Sequence, residues 1–125
     1  MIESQFNSDS GYLETRLFGD VTKSEVVDYV SELRDPANNY PSKLKIITDA
    51  TEAEMGFSRK ELGDILDVVN AHPGIYTSIK DAMIMTNPRA TAFSMIIELF
   101  TKKSPYQVKI FSTREAATEW LAGQQ

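Results

Sequence analysis

Ser58 is a candidate phosphate acceptor. In Ser58-Arg-Lys-Glu61 it stands at a helix start, where free backbone amides and the helix dipole favour a phosphate on its hydroxyl. The same spacing also makes a capping box, in which Ser58 and Glu61 satisfy each other's backbone amides and hold the helix end by about 1 kcal/mol. Capping is the preferred reading of Ser58, with a phosphosite as the alternative. Asp49, Glu52 and Glu54 follow the apolar run Leu44 to Thr48. Ligand sites in open α/β sheets lie beyond strand carboxyl ends, and hard cations take carboxylate oxygens. No second acidic pair appears at another strand end, so a solvated loop over Asp49 to Phe57 is expected, and no metal site.

His72, the single histidine, precedes Pro73-Gly74 at a helix end, where an imidazolium complements the dipole. Cysteine is absent, and so are Gly-x-Ser-x-Gly and any Gly-rich phosphate loop. Nucleophilic catalysis, thiolate metal binding and phosphate cradling all lack their parts. The chain is expected not to be an enzyme and to need no cofactor. Arg89 lies in the first turn of a helix opened by Asn87-Pro88, where a cation opposes the dipole. With Thr86, Asn87 and the helix amides it could hold an anionic head group; a solvated arginine is the plainer reading.

That third helix, from Asn87-Pro88 onward, is the most informative segment. Phe93, Ile96, Ile97 and Phe100 form one stripe, yet Ala92, Met95 and Leu99 carry the apolar surface well round the cylinder. A helix covering a sheet needs an apolar stripe a little over 100° wide. The excess must pack on a neighbour, line a pocket or stay exposed as a contact patch. Met55, Gly56 and Phe57, in the preceding loop, are expected to join it.

These residues need a frame, and the pattern supplies one. The 125 residues suit one domain over 1–125, and with 42% apolar and 25% charged residues the chain is neither disordered nor fibrous. Ile2 to Ser8 and Tyr12 to Phe18 read as strands around a turn at Asp9-Ser10-Gly11, with Leu13, Thr15 and Leu17 alternating onto one face. Thr22-Lys-Ser-Glu25 is a capping box before a helix bearing Val26, Val30 and Leu33 on one side. Leu44 to Thr48 reads as a strand covered on both faces. Leu62, Ile65, Leu66 and Val69 stripe the second helix, Asp81 to Thr86 is another buried strand, and Gln107 to Phe111 is the last. Ser112-Thr-Arg-Glu115 reads as a third capping box, opening a helix that Gly123 ends. The order ββαβαβαβα predicts a mixed, mostly parallel sheet of about five strands with four helices.

Thirteen basic against eighteen acidic residues give a net charge of −5. The excess lies in the first half, with twelve acids and seven bases up to Leu62, which speaks against nucleic acid. The start Met1-Ile-Glu-Ser-Gln-Phe has neither a basic nor an apolar leader region. The most apolar segment, Ala90 to Phe100, is roughly half the ~20 residues that span a bilayer. A cytoplasmic protein that does not span membranes is expected.

The element order, together with Leu17-Phe-Gly-Asp20, the Asn87-Pro88 junction and the ending Ile110-Phe-Ser-Thr-Arg-Glu-Ala-Ala-Thr-Glu-Trp-Leu121, resembles the SpoIIAA-like (STAS/SEC14 domain) family of small bacterial proteins. The resemblance implies a STAS-like α/β domain without established catalysis, related to regulatory switch modules and to lipid-carrier domains. In phospho-switch members a serine within Asp-Ser-Ser-Gly-Leu-Gly opens the second helix. Aligning Leu62-Gly63 with that Leu-Gly puts Arg59-Lys60 at the two serines, so phosphorylation is not carried over. The expected function is a non-catalytic interaction or regulatory module that binds a protein partner or forms a homodimer, with contacts at Asn87, Arg89, Met95, Leu99, Met55 and Phe57. The alternative is a carrier or sensor of a small apolar or lipid-like ligand, held between the third helix and the sheet with Arg89 and Asn87 at its mouth.

Overall fold

The computed structural model describes residues 1–71 and 74–123, without the side chains of 89–91, 93 and 94. The chain opens with a hairpin of β1 (Ile2–Asn7) and β2 (Tyr12–Asp20). Asn7 shapes its turn, its side-chain oxygen accepting from the Asp9 and Ser10 amides at 2.9 and 3.3 Å. Gly11 closes the turn at φ 78°, in the left-handed region that costs glycine nothing. Leu13, Thr15 and Leu17 then turn inward, as their alternation requires.

Helix α1 (Lys23–Leu33) begins at Thr22 and α2 (Arg59–Val69) at Ser58, each through a capping box closed in both directions. Between them lie a single 3-10 turn, Pro36–Asn38, and β3 (Lys43–Glu54). The remaining elements are β4 (Ser78–Ile84), α3 (Pro88–Thr101), β5 (Tyr106–Phe111) and α4 (Arg114–Ala122). The described residues thus form five strands and four helices in the expected order, in one mixed sheet ordered β1-β2-β3-β4-β5. Only the β1–β2 pair is antiparallel.

Each crossover joins strands that are neighbours in the sheet, so right-handed connections carry α1, α2 and α3 to the same face. There Val30, Leu33, Ile65 and Val69 pack on Leu13, Leu44, Ile46, Ile79 and Val108. The opposite face holds a smaller core, where Ala117 and Leu121 of α4 cover Ile47, Ala82 and Ile84. Among the described residues no helix is long and apolar enough to cross a membrane.

Strands β1, β2 and β5 differ from expectation by one or two residues at an end, and three other boundaries differ more substantially. The supposed connection Asp49 to Phe57 is strand as far as Glu54, and β3 stays paired with β2 through a register shift between Arg16 and Phe18. That bulge sets Thr51 and Glu52 both outward between buried Ala50 and Ala53; it breaks the alternation that marks a strand. The acids are engaged along it: Glu52 pairs with Arg16 at 2.8 Å, and Asp49 accepts from the Thr51 hydroxyl at 2.7 Å. The cap of α4 is Thr113, accepting from the Ala116 amide at 3.2 Å. Glu115 is therefore one residue too early to complete a box, and Ser112 lies outside the helix. Strand β4 begins at Ser78, opposite Lys43, and ends at Ile84, short of Thr86.

Candidate functional site

Helix α3 packs chiefly on β5, the last strand of the sheet. A helix placed at an edge turns only a narrow side to the core. Ile97 is half-buried against the main core and Thr101 is fully buried. Ile96 and Phe100, expected inside with Phe93 and Ile97, are 40% and 61% exposed. Beside them Met95 is 60% and Leu99 67% exposed. Phe93 has no described side chain. The apolar excess of α3 is therefore surface.

The inward side of α3 does polar work on β5. An edge strand leaves alternate amides without a partner strand. The Val108 amide donates to Thr101 Oγ1 at 3.1 Å, the Ile110 amide to Glu98 Oε2 at 3.1 Å, and the Tyr106 amide to Ser104 Oγ at 3.1 Å. Thr101→Val keeps the shape but removes the acceptor for a buried amide. It should cost about 1–3 kcal/mol, read by urea unfolding, with faster hydrogen exchange at Val108. An unchanged midpoint would show that the amide finds another partner.

Across the β5 edge, α3 and α4 frame an open groove of about 730 Å³. Met95, Ile96 and Leu99 form one wall, Val108 and Lys109 the floor, and Trp120 of α4 the other wall. Lys109 Nζ lies 5.9 Å from the ring centres of both Phe111 and Trp120, within cation–π range.

Met55 and Phe57 do not belong to this surface. At 8% and 7% exposure they are core residues of the sheet's main face, because the bulge in β3 returns the chain to the inward register before Met55. Asn87 lines a separate polar groove of about 630 Å³ with Asp20, Lys23, Glu54 and Glu61. That groove lies at the carboxyl ends of β2 and β3, where open α/β sheets place ligands, and three of these five side chains are acids. The structure thus divides the expected contact residues: Met95 and Leu99 share one groove, while Asn87 lines the other together with the largely buried Met55 and Phe57. The Arg89 side chain and all of His72 lie outside the described residues. Ser58 is exposed, with its hydroxyl oxygen accepting from the Glu61 amide at 3.1 Å and its own amide donating to Glu61 at 3.0 Å. Among the described residues no group of three or more histidines or acids is placed to hold a metal ion.

Asp81 is a buried acid outside the expected site residues. It is 3% exposed in the middle of β4 and accepts from the Thr48 hydroxyl at 2.7 Å and the Tyr106 hydroxyl at 3.1 Å. Burial pushes its carboxyl up to about 6, against the pull of those two hydrogen bonds. Asp81, Thr48, Tyr106 and Tyr29 make the polar part of an otherwise apolar cavity of about 60 Å³ between sheet and helices, walled also by Met55, Phe57 and Ile97. An acid flanked by Ile79 and Ala82-Met-Ile84 in an apolar strand was the available signal.

No protein-family model and no curated protein matches the chain. Among solved structures it is similar to an uncharacterised protein of the DUF3478 family with a SpoIIAA-like fold from Shewanella loihica PV-4. The TM-score is 0.60 at 18% identity, covering 97% of this chain and 92% of that one. The likeness establishes a SpoIIAA-like α/β fold for this chain.

Proposed function

We propose that this chain is a non-catalytic interaction or regulatory module, resident in the cytoplasm, that docks a protein partner or a second copy on the outer face of α3. One observation carries the reading: Met95, Ile96, Leu99 and Phe100 are all 40% or more exposed on neighbouring turns of a single helix. Contiguous apolar surface of this kind marks interaction sites on small domains. A SpoIIAA-like fold supports the same reading.

Leu99→Asp tests it. A residue this exposed should tolerate the change with a shift in Tm of about 2 °C or less, while association is lost in sedimentation velocity and native mass spectrometry. A photo-crosslinking side chain at position 99 should give a discrete adduct in cells that the same group at exposed Glu3 does not. A large fall in Tm, or equal cross-linking from both positions, would overturn the reading.

The internal cavity supports a second reading, a carrier or sensor of a small apolar ligand. At about 60 Å³ it exceeds the ~10–15 Å³ that one water needs. A discrete extra mass on the native chain would favour this reading over docking.

A further inference from the structure

We propose that the groove between α3 and α4 receives an amphipathic helix with acidic flanks, contributed by a partner protein. The inference rests on the reading of α3 as a docking face and specifies what docks there.

The mode of binding follows from the edge strand. A peptide entering beside β5 would ordinarily add a strand through main-chain hydrogen bonds. The outward amides of Val108 and Ile110 already donate to Thr101 and Glu98 of the same chain, so strand addition has no donors to use. What remains is side-chain burial against Met95, Ile96, Leu99 and Trp120. That is the helix-in-groove mode, with apolar anchors at i, i+3, i+4 and i+7.

The charge of the occupant follows from the rim. The chain carries a net charge of −5, yet the lysines lining this groove, Lys102 and Lys109, are exposed and form no ion pair among the described residues. The single acid of the lining, Glu98, is engaged with the Ile110 amide. Two cations without an acidic partner, Lys109 lying over the Phe111 and Trp120 rings, complement carboxylates on the incoming helix. A second copy of the chain fits less well. Its α1, α2 and α4 have their apolar faces committed to the sheet, and its own α3, the remaining exposed apolar helix, would bring the same two lysines against this rim. A bilayer surface would not fill a concave groove.

Trp120 is the single tryptophan and forms one wall, so its fluorescence reads occupancy directly. The probes are two synthetic helical peptides of about 14 residues, matching α3 in length. They share leucines at i, i+3, i+4 and i+7 and differ only in carrying Glu or Lys on the flanks. With the full chain, the Glu peptide should shift Trp120 emission and bind about tenfold tighter than the Lys peptide. The preference should shrink several-fold between about 0.05 and 0.5 M salt. In Lys102→Glu/Lys109→Glu it should reverse, and Leu99→Asp should abolish both signals. Equal affinity for the two peptides, all else as expected, overturns the acidic partner and leaves docking on α3 standing. Failure of both peptides to bind below about 1 mM overturns the helix. So does a Trp120 response to phosphatidylglycerol vesicles alone, or dimerisation that Leu99→Asp removes.

Discussion

Asp81→Asn is expected to raise the free energy of unfolding by about 3 kcal/mol at pH 8 and to leave it nearly unchanged at pH 3. The carboxyl's folded value of about 6 lies above its ordinary 3.8. Below pH 4 the group is protonated in both states and the elevation contributes nothing. Between about pH 4 and 6 the unfolded chain releases the proton while the folded chain keeps it, so the unfolded state binds fewer protons and stability falls as pH rises. Above pH 6 the loss is complete, and about two pKa units correspond to about 3 kcal/mol. Asparagine carries no charge and can still pair with Thr48 and Tyr106, because either hydroxyl can reverse its role. Urea unfolding of both proteins from pH 3 to 8 isolates the effect, since every other titrating group cancels in the difference. A difference that stays flat across the range would show that Asp81 keeps its charge in water.

Leu121→Ala is expected to cost about 3 kcal/mol, within the usual range for a buried leucine. Leu121 is fully buried, and it shares with Ala117 the task of holding α4 to Ile47, Ala82 and Ile84. A core this small has few neighbours to close the space left by a missing isobutyl group. Since α4 also carries Trp120, loosening it should red-shift the tryptophan emission before global unfolding. Urea titration followed by fluorescence and by far-ultraviolet circular dichroism checks both statements. Coincident transitions with unshifted native emission would show that α4 stays seated without Leu121.

Much of this architecture is legible in the sequence because local signals agree with one another. The boxes at Thr22 and Ser58, the alternation of Leu13, Thr15 and Leu17, and the stripe from Leu62 to Val69 each name an element without knowledge of its neighbours. Where tertiary context decides, the signals fail. The bulge in β3 interrupts alternation beside a run of acids that then reads as loop, although those acids pair with β2. The burial of Met55 and Phe57 follows from that same bulge. For α3 the width of the apolar surface is plain, but which side faces water depends on its seat over an edge strand, and the Phe93-Ile97 stripe is indistinguishable from a core stripe until that seat is known. Asp81 escapes because one carboxyl in an apolar strand has no local partner; Thr48 and Tyr106 lie on neighbouring strands.

The matching order of strands in chain and sheet bears on how the molecule is made. A chain leaving the ribosome can lay each new strand beside the one before it, so no strand must wait for a distant partner or be inserted between two others. The last strand to arrive is β5, and it docks after α3 has been synthesised. Glu98 and Thr101 have then already been synthesised and can take the Ile110 and Val108 amides as α3 and β5 come together. The last edge of the sheet is thus covered by its own chain, which takes up amides that would otherwise recruit another strand.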